Sequence, residues 1–372
     1  MTAEREIAGF AFPLAAGTAA AVYAGISAGD TIAHLLIFGG TVLPLILLLS
    51  DARRSWPPTA ARFLLAVMAA GVGALCGLRS NETSISGQYG HTMIEAAGEY
   101  GNRIEETADL IPFEDTRTNA FVKAVLTGER NGMPQDVTDA FLDSGASHIL
   151  ALSGLHLGVI YMMISRLLSF LGYSLRARRV RAAATVLICG LYTLSTGAGP
   201  SIMRAFLFIV INETASLTGR YRSTGNTLMA ALMIHLCIDP GSIRSVGFQL
   251  SYAAMAGIAF IYPRLRSMWP EGENSIAGLA VTGPARWIWN SAAMSIACQL
   301  TTGPIAYMYF GTFPQHFLLT NLIALPLTGI IIPASAMTLI LYRAGICPDL
   351  LIRATEWLIG LLIGALEIIS AM

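Results

Sequence analysis

Residues 148–158 read HILALSGLHLG, which sets two histidines, a serine and two glycines inside an otherwise apolar run. The run extends from about residue 147 to residue 171, enough for a helix to cross the roughly 30 Å hydrocarbon core of a bilayer. An unpaired polar group in that core is costly. We therefore expect this helix to face other helices or a wet cavity rather than lipid.

The composition of the whole chain is that of a membrane protein. Of its 372 residues, 54% are hydrophobic and 12% are charged, which is about half the charged fraction of a soluble domain. The five cysteines lie in or beside apolar segments without a CxxC pair, so they indicate buried small side chains rather than disulfides. The six histidines form no HExxH pattern, and we expect no metal site.

Long apolar runs recur along the chain and predict an all-α fold, a polytopic transmembrane helix bundle of about eleven spans. The predicted spans are residues 7–28, 31–49, 61–78, 147–171, 181–198, 201–218, 225–239, 245–262, 285–309, 316–342 and 353–371. We divide the chain into N-terminal transmembrane helices (1–78), a short acidic non-cytoplasmic segment (79–114), a transmembrane domain (115–345) and a C-terminal transmembrane helix (346–372).

The arginines predict the orientation of these spans. With a cytoplasmic N-terminus, five successive loops place arginine on the cytoplasmic side, as the positive-inside rule requires. These arginines are Arg53 and Arg54; Arg176, Arg178, Arg179 and Arg181; Arg220 and Arg222; Arg264 and Arg266; and Arg343. The chain is therefore predicted to lie in the cytoplasmic membrane as a multi-pass protein.

The segment 79–146 holds twelve acidic and five basic residues and is predicted to lie outside. Its second half has the spacing of two short amphipathic helices separated by the turn GERNGMP. Their predicted apolar faces carry Phe121, Val125, Val137 and Phe141.

Three interpretations of the polar cluster remain open. On a continuous helix, Ser153 and His156 share a face, and Gly154 and Gly158 form a GxxxG patch that allows close helix packing. The cluster could serve packing alone, with Ser153 bonded to the backbone. It could instead be an intramembrane serine hydrolase, with Ser153 as nucleophile and His156 as base, although no GxSxG elbow surrounds the serine. The third interpretation places the cluster beside a translocation path.

Two further polar residues lie within predicted spans. Arg204 follows the helix-breaking stretch STGAGP and could meet an anion in an interior path, or it could bond helix C-terminal carbonyls. Gln249 lies in FQLSY on another predicted span.

Five ordered motifs resemble the ComEC/Rec2 family, polytopic competence proteins that bring transforming DNA across the cytoplasmic membrane. The resemblance covers about residues 115–345. The motifs are GASHILALSGLHLGVI (145–160), LSTGAGPSIMRAFLF (194–208), GRYRSTGNTLMAALMIHLCIDPGSI (219–243), GFQLSYAAMAGI (247–258) and QLTTGPIAYMYFGTFPQHFLLTNLIALPL (299–327).

The resemblance implies a DNA-uptake channel core that translocates single-stranded DNA during natural competence, with no catalysis and no cofactor in this chain. It implies that Ser153, His156, Arg204 and Gln249 line the DNA path, while Gly154 and Gly158 pack helices around it. The implied partners are single-stranded DNA, the lipid bilayer, a competence DNA receptor, a nuclease, and a cytoplasmic motor or single-stranded-DNA-binding protein.

The sequence also departs from the family pattern. Many members carry an OB-like domain and a metallo-β-lactamase-like domain, whereas segment 79–114 is too short for the first and no HxHxDH motif marks the second. Nuclease activity is therefore expected from a partner. A transporter of another solute on the same scaffold remains the main alternative.

Overall fold

The computed structural model describes residues 3–24, 37, 39–44, 58–82, 86–172, 174–219, 223–269, 276–311 and 315–372. These residues form helices and contain no β-strand, which confirms the predicted all-α fold. The α-helices are α1 (Ala3–Ala24), α2 (Pro58–Glu82), α3 (Ser86–Leu110), α4 (Thr116–Leu126), α5 (Gln135–Asp143), α6 (Ser147–Leu150), α7 (Gly154–Leu167), α8 (Leu175–Ser195), α9 (Pro200–Thr218), α10 (Thr224–Ile238), α11 (Val246–Ala256), α12 (Tyr262–Arg266), α13 (Ile276–Phe310), α14 (Phe317–Arg343) and α15 (Asp349–Ser370). Short 3₁₀ segments cover Leu168–Leu171 and Pro240–Arg244, and a π-helical segment, Gly257–Ile261, joins α11 to α12.

Four stretches within the described residues are long and apolar enough to cross a membrane: Ile7–Ala24, Gly154–Leu171, Val246–Arg266 and Phe317–Arg343. Two shorter apolar helices cover Arg62–Leu78 and Thr224–Ile238. The predicted number of eleven spans is therefore not confirmed. Most of the span predicted at 31–49 lies outside the described residues.

The prediction of one continuous helix over 147–171 is wrong. The chain forms the single turn α6, leaves the helical conformation at residues 151–153 and begins α7 at Gly154. The break occurs because Ser153 adopts an extended backbone and caps α7 with its own side chain. Ser153 and His156 therefore do not share a face of one helix, as the sequence had suggested.

The C-terminal span predicted at 353–371 coincides with α15, which is not among these four stretches. Arg353, Glu356 and Glu367 interrupt its apolar sequence. The face that carries Ile359, Leu362 and Leu366 is buried against the rest of the protein, at the spacing of an amphipathic helix.

Packing divides the chain into two compact units. The first contains Met1–His91 and Leu207–Tyr252, and the second contains Thr92–Phe206 and Ala253–Met372. The division into sequence segments 1–78, 79–114, 115–345 and 346–372 stays a prediction, since the two units are defined by packing and not by membrane topology.

Glycines bring two helices of the first unit into close contact. A Cβ added at Gly17 in α1 would overlap the carbonyl group of Ala70 in α2, and one added at Gly73 would overlap the carbonyl group of Leu14. Backbones can approach this closely only where side chains are missing, which is the usual role of small residues between membrane helices.

The second unit is built around the two short amphipathic helices. Phe121 in α4 and Phe141 in α5 are fully buried, with ring centroids 5.7 Å apart. They belong to a core that includes apolar residues of α14 and α15, such as Ile331 and Leu362. The prediction that Phe121, Val125, Val137 and Phe141 form apolar faces is confirmed, since all four are buried.

Candidate functional site

The candidate site is the break between α6 and α7. Ser153, the N-cap residue of α7, has φ −123° and ψ 170°, and its Oγ accepts a hydrogen bond from the Leu155 backbone N–H at 3.2 Å. Such a cap satisfies one of the backbone donors that a helix leaves open at its first turn. The polar residues that looked misplaced in an apolar run are therefore the residues that start a helix.

His156 completes the cap from the third position of α7. Its side chain is fully buried, and its Nδ1 accepts a hydrogen bond from the Ser153 backbone N–H at 3.2 Å. Because Nδ1 is an acceptor there, the neutral ring carries its proton on Nε2. That Nε2 atom is buried and has no hydrogen-bond partner among the residues described. His156 thus presents a donor on the side of the ring that faces away from Ser153.

Arg204 of α9 lies against the first residue of α7. A Cβ added at Gly154 would lie 2.9 Å from Arg204 Nη2 and 3.3 Å from the Ala205 side chain. Arg204 is buried, and it also interacts elsewhere within the protein. The Arg204 guanidinium group therefore lies next to the N-terminus of α7, the positive end of the helix dipole. Both favour the binding of an anion.

The turn before α9 has a backbone that few residues adopt. Gly197 has φ 79° and Ala198 has φ 51°, both in the left-handed region, and the Ala198 N–H donates to the Thr193 carbonyl at 2.9 Å. This arrangement ends α8, after which α9 begins at Pro200, a residue well suited to the first helical position. Arg204 follows in the second turn of α9.

The structure thus brings together Ser153, Gly154, His156 and Arg204. Gly158, the other half of the GxxxG pattern, has no described atom within 4 Å of an added Cβ, and its role in helix packing stays a prediction. Gln249 belongs to the first unit, where its side-chain amide donates to the Ile243 carbonyl at 3.0 Å and to the Tyr23 hydroxyl at 3.3 Å. The Gln249 amide therefore connects α11 to α1 and to the 3₁₀ segment Pro240–Arg244 within that unit.

A buried polar stripe along α14 was not predicted from the sequence. Thr320 donates to the Ser144 carbonyl at 2.7 Å, and the hydroxyls of Thr338 and Thr355 lie 3.0 Å apart. Ser335 is also buried, and its Oγ has no partner in the described part of the chain. The signal was present in the helical spacing of Thr320, Thr328 and Ser335, but it was hidden within a strongly apolar stretch.

No group of three or more histidine, cysteine, aspartate or glutamate side chains in the described ranges lies close enough together to hold a metal ion. The chemistry available at the break consists of hydrogen-bond donors and one guanidinium group.

Long apolar helices, close glycine contacts and a polar helix break inside an apolar sequence define a helical membrane protein. A model of the competence protein family matches residues 125–372, more than half of the chain. The chain therefore belongs to the competence protein family, in agreement with the resemblance to ComEC/Rec2 drawn from its motifs.

Curated relatives match the chain over part of their length. The chain is 26% identical to ComE operon protein 3 of Bacillus subtilis (strain 168) over 230 residues, which are 62% of this chain and 26% of that protein. It is 24% identical over 232 residues to uncharacterized protein YcaI of Escherichia coli (strain K12), covering 61% of this chain and 30% of the relative. An uncharacterized protein of Aquifex aeolicus (strain VF5) is 27% identical over 229 residues, which are 56% of this chain and 52% of that protein. The chain thus spans only part of each relative, and no solved structure matches it.

Proposed function

We propose that this chain is the membrane core of a DNA-uptake system, through which single-stranded DNA crosses the cytoplasmic membrane during natural competence. Membership of the competence protein family supports a role in this process. The observation that carries the proposal is the broken helix, whose positive end lies beside Arg204. Membrane transporters commonly bind anionic substrate groups at such half-helix ends.

The site provides a weak and sequence-tolerant hold on a phosphate backbone. The helix end contributes a partial positive charge of about one half, and Arg204 contributes one full charge. A denser cluster of arginines would bind phosphates tightly, since each neutralised phosphate adds to the affinity. The His156 Nε2–H is an uncharged donor next to this charge, but it is buried in the structure and would reach a nucleotide only if the site opened. A single full charge suits a strand that must move through the site.

The remaining parts of the system are proposed to come from other proteins. A receptor would capture DNA outside, a nuclease would degrade the second strand, and a cytoplasmic motor or single-stranded-DNA-binding protein would supply the driving force. The arginine distribution supports a cytoplasmic N-terminus.

Intramembrane serine hydrolysis is a second candidate, because Ser153 Oγ lies 3.0 Å from His156 Nδ1. A nucleophile and its base need this proximity. However, Ser153 Oγ already accepts from Leu155 N–H, and His156 Nδ1 already accepts from the Ser153 backbone. A third group that orients the base is also missing from the described partners of Nε2. The geometry therefore favours a helix cap, and we propose that the chain is not an enzyme.

Transformation of a naturally competent host tests the proposal. A clean deletion strain is complemented with the wild type, Gly154→Ala or Gly158→Ala, and membrane levels of all three are measured. We expect deletion to abolish transformation and the wild type to restore it. Gly154→Ala should restore it less well, because the added methyl group would lie 2.9 Å from Arg204 Nη2 and move that guanidinium group aside, whereas Gly158→Ala meets no described atom within 4 Å.

Transformation that is unchanged by deletion would contradict the proposal. The competence fold would then serve another solute, and uptake screens in the deletion strain would be the next step. Equal effects of the two alanine variants would leave a DNA role in place but remove the α7–Arg204 contact from it.

A further inference from the structure

A cavity of about 590 Å³ lies in the second unit at the end of α12. Its lining includes Tyr262, Arg266, Ser267, Trp269 and Arg286. The volume is within the range of about 300–1,000 Å³ that is typical of small-molecule sites. No acidic residue lines it within the described part of the chain.

Contacts between α13 and the end of α12 hold the walls of this cavity in place. The indole N–H of Trp289 in α13 donates to the Leu265 carbonyl at 3.2 Å. The rings of Trp269 and Trp289 lie 6.1 Å apart at 39°. These contacts hold α13, which carries Arg286, beside the end of α12, which carries Arg266.

The arginines of this region are not equivalent. Arg266 and Arg286 line the cavity, whereas the Arg264 side chain turns back to donate to the Phe260 carbonyl in the preceding turn. Two of the three guanidinium groups therefore line the cavity. Arg264 carries the same charge nearby without lining it, so its substitution can serve as a control.

The cavity lies at a membrane–water boundary, because the apolar stretch Val246–Arg266 ends at it. Tryptophan, tyrosine and arginine are enriched at this depth. Large apolar side chains close in sequence to the lining residues are exposed: Phe260 by 40%, Trp287 by 50% and Ile288 by 47%. Two positive charges thus adjoin an apolar surface that water would solvate poorly.

We propose that this cavity binds the phosphate head group of an anionic phospholipid. Arg266 and Arg286 contact the phosphate oxygens, as guanidinium groups do in a fork geometry, and Ser267 donates to the head group. The acyl chains run along Phe260, Trp287 and Ile288. Basic pockets beside membrane helices bind such head groups elsewhere. The exposed apolar side chains favour a lipid over a nucleic acid strand, and the proposal does not depend on the function proposed above.

Native mass spectrometry of the purified full chain tests the site. Cardiolipin, phosphatidylglycerol or phosphatidylcholine is titrated in detergent, and retained lipid adducts are counted. The test variant is Arg266→Gln with Arg286→Gln. The control variant, Arg264→Gln with Arg343→Gln, removes the same charge from two arginines outside the cavity lining. Inorganic phosphate and a dT oligonucleotide are added as competitors.

We expect the wild type and the control to retain an anionic lipid and to bind phosphatidylcholine at least about tenfold more weakly, because the choline cation of phosphatidylcholine offsets the phosphate charge and repels the two guanidinium groups. The test variant should lose this preference while keeping its fold by circular dichroism. Equal lipid retention by both double variants would overturn the proposal. So would an oligonucleotide or inorganic phosphate that binds through Arg266 and Arg286 when lipid does not.

Discussion

Ser153 and His156 cap one helix reciprocally: the Ser153 N–H donates to His156 Nδ1 at 3.2 Å, and Ser153 Oγ lies 3.0 Å from the same nitrogen. The pair resembles a nucleophile and its base, yet each atom also has a structural task at the first turn of α7. A helix cap needs only a hydrogen-bond acceptor at residue 153, whereas a nucleophile needs the serine hydroxyl. Substitutions at this residue can therefore distinguish the two roles.

Ser153→Ala removes the acceptor for the Leu155 N–H and should cost about 1 kcal/mol of stability, as loss of an N-cap usually does. Ser153→Asn keeps a capping acceptor and should recover most of that stability. For a channel, both variants retain transformation at equal membrane levels, with Asn nearer the wild type. A hydrolase would lose its function with either change. Thermal unfolding in detergent measures the change in stability, and transformation frequency measures the change in DNA uptake. Labelling by a serine-reactive fluorophosphonate would support the hydrolase.

Arg204→Gln should lower transformation about tenfold or more, because a charge-assisted hydrogen bond is worth about 1.5–3 kcal/mol. Arg204→Lys keeps the charge without the planar fork and should give an intermediate frequency. Arg343→Gln at the exposed end of α14 is the control for loss of one charge. Membrane levels must be matched, since Arg204 is buried. A glutamine variant as active as the control would remove Arg204 from the DNA path.

Substitutions in the core of the second unit should lower the free energy of unfolding far more than substitutions in the ion pairs at its edge. Phe141→Ala empties a fully buried site beside Phe121 and should cost about 3–5 kcal/mol. Glu367→Gln breaks a half-exposed pair with Arg117 at 3.0 Å and should cost less than about 1 kcal/mol. Thermal unfolding of the detergent-solubilised variants gives both values. Similar losses in the two variants would show that α5 does not anchor this core.

Cys347, in the loop between α14 and α15, reports the orientation of the chain. With the other four cysteines replaced, a membrane-impermeant maleimide should label it in inverted vesicles and not in intact cells, because Arg343 predicts a cytoplasmic loop. Labelling in intact cells would contradict the predicted orientation.

The same thiol gives a pH prediction. Burial and the nearby Asp349 carboxylate raise the pKa of Cys347, so less thiolate is present at a given pH. Asp349→Asn removes the negative charge and lowers that pKa, and labelling of the variant should be faster at pH 8. The rate difference should shrink at a pH well above both pKa values, where both thiols are ionised.

The local pattern of apolar residues was sufficient to predict several of the helices. The apolar run predicted at 316–342 corresponds to α14, Phe317–Arg343, within one residue at each end. The two amphipathic helices and their buried faces were also predictable, since Phe121, Val125, Val137 and Phe141 follow helical spacing. A side chain that avoids water does so in any compact arrangement, so periodicity identifies it before its neighbours are known.

The residues of the candidate site were singled out from the sequence, but their geometry was not, and their role in a DNA path stays a prediction. Ser153, His156, Gly154 and Arg204 were all singled out, yet a continuous helix was expected where the chain breaks. An apolar sequence does not distinguish an unbroken helix from a capped one, because a serine can either bond within a helix or begin one. The contact between Gly154 and Arg204 joins positions 50 residues apart and has no local signal.

The sequence by itself determined that this protein is helical, apolar and a member of the competence family, because those properties depend on composition, period and ordered motifs. Tertiary structure alone decided where α7 begins, how α15 packs as an amphipathic helix, and that Arg266 and Arg286 line one cavity. Each of these depends on the free energy of bringing distant residues together. That energy comes from packing, capping and charge across the fold, which no short stretch of the chain contains.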